Sequence, residues 1–257
     1  MIFNSFDILL KKIRNTRHSR ILYLLAVCTT CLFLTNCNPI YYSPNSLNVP
    51  LLTRTAETNA TVAGNADQVE FQMAHAFSEK FAVLADGGLF IPKDQETGEG
   101  GSGKFLELGG GYLHPLSGNW VLEAYGLAGF GSFENHFPEA SPGPGSPTVG
   151  DISASIFRWG VQPNFGFKSR YFSAALSTRL VNVIYHNVEG DLIFNQVDQV
   201  DFLTENNSYW LAEPALTIRG GFEKIKLQAQ LGLSYNITDP EFSQESSFIT
   251  VGLNFNF

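Results

Sequence analysis

The chain has 257 residues, 44% of them hydrophobic and 16% charged, with 24 Gly and 22 Phe; a soluble domain carries about 25% charged residues, so part of this surface is expected to face something other than water. The formal charge is −8, and without residues 1–36, which hold five bases and one acid, the remaining 11 bases and 23 acids give −12, which excludes a nucleic-acid partner because phosphate binding needs a basic patch. Cys28, Cys31 and Cys37 all precede the body of the chain, so no disulfide framework or thiolate metal centre is available to the fold, and no metal or other cofactor is expected.

The first element in chain order is an export segment. The basic stretch "KKIRNTRHSR" leads into "ILYLLAVCTTCLFL", an apolar run shorter than the roughly 20 residues a spanning helix needs. The following "LTNC" resembles a bacterial lipoprotein processing site, with Leu34 three residues before Cys37 and Asn36 standing where Gly, Ala or Ser is usual. The resemblance implies removal of residues 1–36 as a lipoprotein signal peptide and lipidation of Cys37. An ordinary signal peptide with incidental cysteines is the competing reading. Residues 37–55, with Pro39, Pro44, Asn45 and Pro50, read as an extended tether, and residues 56–257 as one β-barrel domain.

The body shows alternation between turn signals rather than a helical period. Ten strands are expected, near 56–65, 67–77, 81–90, 104–114, 119–132, 152–168, 170–186, 208–220, 223–236 and 247–257. Short turns ("SEK", "PLSG", "KSR", "FEK") alternate with long polar loops at 91–103, 133–151, 187–207 and 237–246. This predicts an up-and-down antiparallel barrel with all long loops at one end, the outer-membrane pattern. An even strand number then puts the N- and C-termini together on the periplasmic side. Pro163 and Pro214 each lack a ladder donor and are expected to mark bulges.

The strand faces predict which side meets lipid. Ile225, Leu227, Ala229, Leu231, Leu233 and Tyr235 share one face; Lys226, Gln228, Gln230, Gly232 and Ser234 share the other. In "NWVLEAYGLAGFG", Trp120 and Phe130 are ten residues apart on the apolar face, about 25 Å in height for a strand tilted by roughly 40°, the separation of two aromatic girdles. The polar face carries Glu70, Asp86, Glu107, Glu123, Arg158, Arg179, Glu213, Arg219 and Lys226. Glu107, Glu123, Arg158, Arg179, Glu213 and Arg219 are expected to form a paired charge network in the lumen, with Arg158 and Arg179 meeting Glu123 and Glu213. Gly109, Gly111 and Gly232 on the same face leave room for a thin channel. "GEGGSGKF" lacks the hydroxyl residue and the helix of a phosphate loop, and His75, His114, His136 and His186 show no metal spacing. His186 with Asp191 or Asp198 has no nucleophile motif beside it, so no catalytic residue and no enzyme activity is predicted.

The closing "TVGLNFNF" resembles the C-terminal signal of bacterial outer-membrane barrels, with Thr250, Gly252, Phe255 and Phe257 in the motif positions; the resemblance implies recognition by the barrel-assembly machinery. "SLNVPLLTRTAETNATVAG", "AFSEKFAVLADGGLF" and "VQPNFGFKSRYFSAALSTRLV", with the lipobox, resemble a group of small Bacteroidetes outer-membrane β-barrel lipoproteins. That resemblance implies placement and fold, with no assigned activity. The expected protein is a monomer in outer-membrane lipid with a structural or surface-interaction role and an unidentified external partner. A small channel and a soluble periplasmic lipid-binding barrel are the alternatives.

Overall fold

The computed structural model describes residues 39–91, 100–137 and 148–257; the export segment, Cys37 and parts of two long loops lie outside the described residues. Ten barrel strands follow in order: β1 Thr58–Gly64, β2 Gln68–Ala76, β3 Phe81–Phe90, β4 Gly100–Pro115, β5 Trp120–Phe137, β6 Gly150–Lys168, β7 Phe172–Gly190, β8 Ser208–Gly221, β9 Ile225–Leu233 and β10 Ser247–Asn256. Each pairs antiparallel with its sequence neighbours, and β10 returns to β1 through Val62↔Leu253 and its flanking pairs. The result is a closed up-and-down barrel of the outer-membrane type, with no free sheet edge.

The turns confirm the two-ended plan. At one end, residues 77–80, 116–119, 169–171 and 222–224 join strands tightly. Gly118 and Asn119 both take φ of 70° there, a conformation these two residue types tolerate best. At the other end β4 to β7 run farther than the sequence pattern suggests, and β6 and β7 reach 19 residues each. A strand needs only about 9–11 residues to cross a bilayer, so these four continue past the lipid into the segments expected to be loops. The region 187–207 holds a small hairpin, Ile193–Phe194 against Val197–Asp198, and the helix α1, Gln199–Glu205, whose first turn is capped by the Asp198 carboxylate accepting from the Val200 and Asp201 amides. Seven residues are too few to show a helical period, so this helix went unread.

The prolines do not mark bulges. Pairing of β6 with β7 runs to Val161↔Leu180 and resumes at Asn164↔Ser177 in the same register. Around Pro214, Ala212↔Tyr235 and Ala215↔Gly232 likewise keep one register. Each proline omits its donor locally, which separates the two-residue strand Tyr235–Asn236 from β9, while the strands on either side hold alignment. The register shift recorded between β6 and β7 lies elsewhere, between Ser153 and Ser155.

The largest departure from expectation concerns residues 39–55. They are not a free tether. Tyr41, Asn45, Ser46, Leu47, Asn48, Val49, Leu51 and Leu52 are all buried, and the segment runs through the lumen. Its upper part is held at the long-loop end: the Tyr41 amide donates to Ser243 O at 3.0 Å, the Glu245 amide to Tyr42 O at 3.0 Å, and Asn135 Nδ2 to Ile40 O at 2.8 Å. Its lower part is held at the short-turn end, where Lys168 Nζ donates to Leu51 O at 2.7 Å and the Ala56 amide to Ala76 O at 2.7 Å. β1 and β10 do meet at the short-turn end, where Thr58 and Phe257 exchange backbone hydrogen bonds. The described chain nevertheless begins at the opposite end, because the plug doubles back through the barrel.

Candidate functional site

The wall alternates as the sequence pattern requires, with its apolar face outward. Leu253 is 48% exposed and Asn254 is 0% exposed. Outside, aromatic pairs lie toward both rims: Trp120 stacks on Phe165 with ring centroids 4.9 Å apart, and Trp159 meets Trp210 edge-on at 5.2 Å. Inside, the strands present charges and amides to the plug.

The charge cluster draws on β4, β6, β7 and β8. Arg158 Nε donates to Glu107 Oε2 at 2.8 Å; Arg179 Nε donates to Glu213 Oε2 at 2.5 Å, and its Nη1 lies 3.5 Å from Glu107 Oε1. The plug completes it: Tyr42 Oη donates to Glu213 Oε1 at 2.9 Å and accepts from Arg158 Nη1 at 3.3 Å, and Arg179 Nη2 donates to Asn45 O at 3.2 Å. Buried charges with this many partners are tolerable; isolated ones are not.

Two residues expected in that network do other work. Among the described residues Glu123 forms no ion pair with Arg158 or Arg179. Its carboxylate accepts the Leu51 amide at 3.2 Å, the Leu52 amide at 2.6 Å and Asn164 Nδ2 at 3.3 Å. Leu51 takes φ of 53°, a costly conformation outside Gly, and with the next residue it aims two successive N–H groups at one anion, as in an anion nest. Arg219 donates to the neutral Gln228 Oε1 at 2.6 Å. Lys226 lies buried on the same face.

The remaining plug contacts come from inward-facing amides and from Glu70 and Asp86 of the polar face. Gln230 binds both backbone groups of one residue: the Leu47 amide donates to its Oε1 at 2.7 Å, and its Nε2 donates to Leu47 O at 2.9 Å. Gln162 Nε2 donates to Asn48 O at 2.6 Å and Gln72 Nε2 to Ser46 O at 2.9 Å. Asn48 Nδ2 reaches Asp86 Oδ1 at 2.7 Å, and Glu70 accepts both the amide and the hydroxyl of Ser46. Leu47, Val49 and Leu51 pack with Val121, Ala175, Ala215 and Phe248, and Leu52 packs with Leu84, Leu113, Tyr125 and Leu127. The side-chain amides thus act for the plug as neighbouring strands act in a sheet. Inward Gln alternating with apolar residues was the available signal.

The lumen glycines do not open a channel. A Cβ on Gly111 would meet the Tyr125 ring at 2.2 Å, and one on Gly232 the Phe248 ring at 2.2 Å. They are sockets for inward side chains from the next strand. Gly109 is filled the same way by Leu127.

At the short-turn rim, Lys168 Nζ binds Glu57 Oε1 at 2.5 Å. Burial alone would raise the Glu57 carboxyl, but the Lys168 charge and hydrogen bonds from Lys168 and Thr53 outweigh it and hold its pKa below the ordinary value. In the closing strand Thr250 is buried inward, Gly252 lies so close to β1 that a Cβ would meet Val62 O at 2.3 Å, Phe255 pairs with Ala60, and Phe257 is exposed. Among the described residues, no group of three His, Cys, Asp or Glu is placed to hold a metal ion.

No family model matches the sequence, and no curated protein matches it. Some solved structures resemble it weakly. The outer-membrane protease OmpT from Escherichia coli is 8% identical, with 78% of this chain and 96% of that one covered and a TM-score of 0.47. The N-terminal β-barrel domain of Pseudomonas aeruginosa OprF is 13% identical, with 78% and 96% covered and a TM-score of 0.29. LpxR from Salmonella typhimurium is 10% identical, with 78% and 99% covered and a TM-score of 0.35. Likenesses this weak say nothing of activity.

Proposed function

We propose that this protein is an outer-membrane β-barrel lipoprotein, anchored through Cys37, that works as a sealed structural or surface-interaction barrel rather than as a pore. The observation that carries this reading is the plug: residues 41–52 lie along the lumen, hydrogen-bonded to the wall from one rim to the other. A small ten-stranded lumen has little space to begin with, and this one is filled. The outward apolar face and its rim aromatics support insertion in lipid and disfavour the soluble alternative, whose apolar face would point inward. In this reading Thr250, Gly252, Phe255 and Phe257 present the closing strand to the assembly machinery, the barrel works as a monomer, and the long loops carry any external partner.

Planar-bilayer recording tests it. The full mature protein should show no steady conductance, and deletion of residues 41–52 should produce discrete open events. Steady conductance from the intact protein would favour the small-channel reading instead.

A further inference from the structure

Most charges buried in the lumen are matched. Arg158 and Arg179 meet Glu107 and Glu213, Lys168 meets Glu57, and Glu123 is held by the Leu51 and Leu52 amides. One corner departs from this pattern. On the inward face of β8 and β9, toward the tight turn 222–224, Arg219 lies opposite Gln228. Lys226 is two residues from Gln228 on the same face of β9, about 6.6 Å along the strand. Arg219, Gln228 and Lys226 are 3%, 0% and 3% exposed. Gln228 Oε1 is the one side-chain acceptor among the three, and Arg219 Nε donates to it at 2.6 Å. What remains is a set of donors. Arg219 Nη2 and Gln228 Nε2 are buried without a hydrogen-bond partner, and among the described residues Lys226 enters no hydrogen bond or ion pair.

The acids near this corner are engaged elsewhere. Glu57 is bound by Lys168, Glu223 by Arg170 at 2.9 Å, and Glu123 by the plug amides. The residues facing the corner from the flanking strands, Ser173 opposite Arg219 and Asn254 opposite Lys226, are neutral. Lys168 and Arg219 both add positive charge to the surroundings of Lys226. A buried cation without a counter-charge is costly, and buried donors without acceptors point to water or an ion. Water satisfies donors but does not neutralise two positive charges. We propose that Arg219, Gln228 and Lys226 form a binding site for a small tetrahedral oxyanion of the phosphate or sulfate class. The two negative charges of such an anion match the two cations, and its oxygens accept in several directions at once, as donors on two strands require. Lys226 pairs with Gly221 beside the tight turn, so the anion enters from the short-turn mouth. The assignment depends neither on lipidation of Cys37 nor on whether the barrel conducts.

The test is equilibrium dialysis of the detergent-solubilised full chain against radiolabelled inorganic phosphate at constant ionic strength. The parent protein should bind phosphate saturably, sulfate should displace it, and chloride should not. Arg219→Met and Lys226→Met should each weaken binding by about tenfold or more, the loss of a charge-assisted contact. Arg54→Met, which removes an exposed arginine at the same end of the barrel, should bind as the parent does. Lys226→Gln removes the charge but keeps a donor, and gives the same reading if a methionine variant fails to fold. Undiminished affinity in folded variants at 219 and 226 overturns the site. Absence of saturable phosphate and sulfate binding by the parent overturns it too, and leaves these donors to water. Displacement by chloride as readily as by sulfate overturns the oxyanion assignment.

Discussion

The wall and the plug follow different rules of construction. The wall is a periodic object: backbone pairs with backbone, side chains alternate, and the solvent is lipid on one face. The plug has no strand partner along most of its length. Its amides and carbonyls are satisfied by Glu70, Glu123, Arg179, Gln162 and Gln230 side chains reaching in from the wall. A buried backbone group left unpaired is expensive, so the lumen is polar because its occupant is a polypeptide. Arg158, Arg179, Glu107 and Glu213 pair with one another as expected, and the plug adds Tyr42 and Asn45 to their partners.

The most damaging way to break that arrangement is at its centre. Arg179→Met leaves Glu213 and Glu107 without their shared guanidinium and frees Asn45 O. The expected loss is about 3–5 kcal/mol, the range for breaking one side of a buried pair, read as a lowered midpoint of heat-modifiable gel mobility. Arg219→Met removes a hydrogen bond to a neutral amide and should lower the midpoint less. Equal effects would show that the two arginines occupy equivalent surroundings.

On the outer face, Leu253→Arg places a charge where the wall meets lipid. It should lower stability by about 2–4 kcal/mol near the midplane. Asn254, one residue on, faces inward and is bonded to Asn59 and Thr61 across the β1–β10 seam. A wide polar lumen would accept Asn254→Arg easily; a packed one has no space, so this variant too should fold poorly, whereas Asn254→Ala should lose only about 1–2 kcal/mol. A lipid-soluble photoprobe should label position 253 and spare 254. The reverse pattern would invert the barrel.

The plug itself is tested by Gln230→Ala, which leaves both the Leu47 amide and carbonyl without their partner. About 2 kcal/mol is expected. The distinguishing readout is protease cleavage within residues 41–52, which should rise in this variant while the wall remains resistant.

Periodicity explains what the sequence revealed and what it withheld. Ten strands, the outward aliphatic face and the alternation of short and long connections follow from a two-residue repeat and from turn chemistry, and all are seen. The plug obeys the same alternation, with Leu47, Val49 and Leu51 packed against wall side chains. Pro44 and Pro50 made that stretch read as a linker, and its partners lie up to 204 residues away. The pairing of Glu123 was missed for the same reason. A carboxylate facing inward was legible, but backbone amides carry no sequence signature, so the acid was assigned to an arginine. The helix α1 was hidden by its length alone.

The smallest effect is expected at the seam where plug becomes wall. Glu57 precedes β1, and its bond to Lys168 ties the end of the plug to β6 beside Leu51 O. The folded state holds the Glu57 pKa below its ordinary value, so unfolding takes up a proton when the pH lies between the two. The stabilisation is therefore complete above the unfolded value of about 4.3 and disappears as the pH falls through the lower, folded one. A hydrogen-bonded ion pair of this kind is worth about 1.5 kcal/mol. Glu57→Gln should lower the unfolding midpoint by that amount at pH 7 and flatten its decline below about pH 4 relative to the parent protein. Lys168→Met should do more at neutral pH, since it strands Leu51 O as well as the carboxylate. If Glu57→Gln leaves both the midpoint and the acid slope unchanged, water already reaches this rim and the ion pair adds nothing to stability.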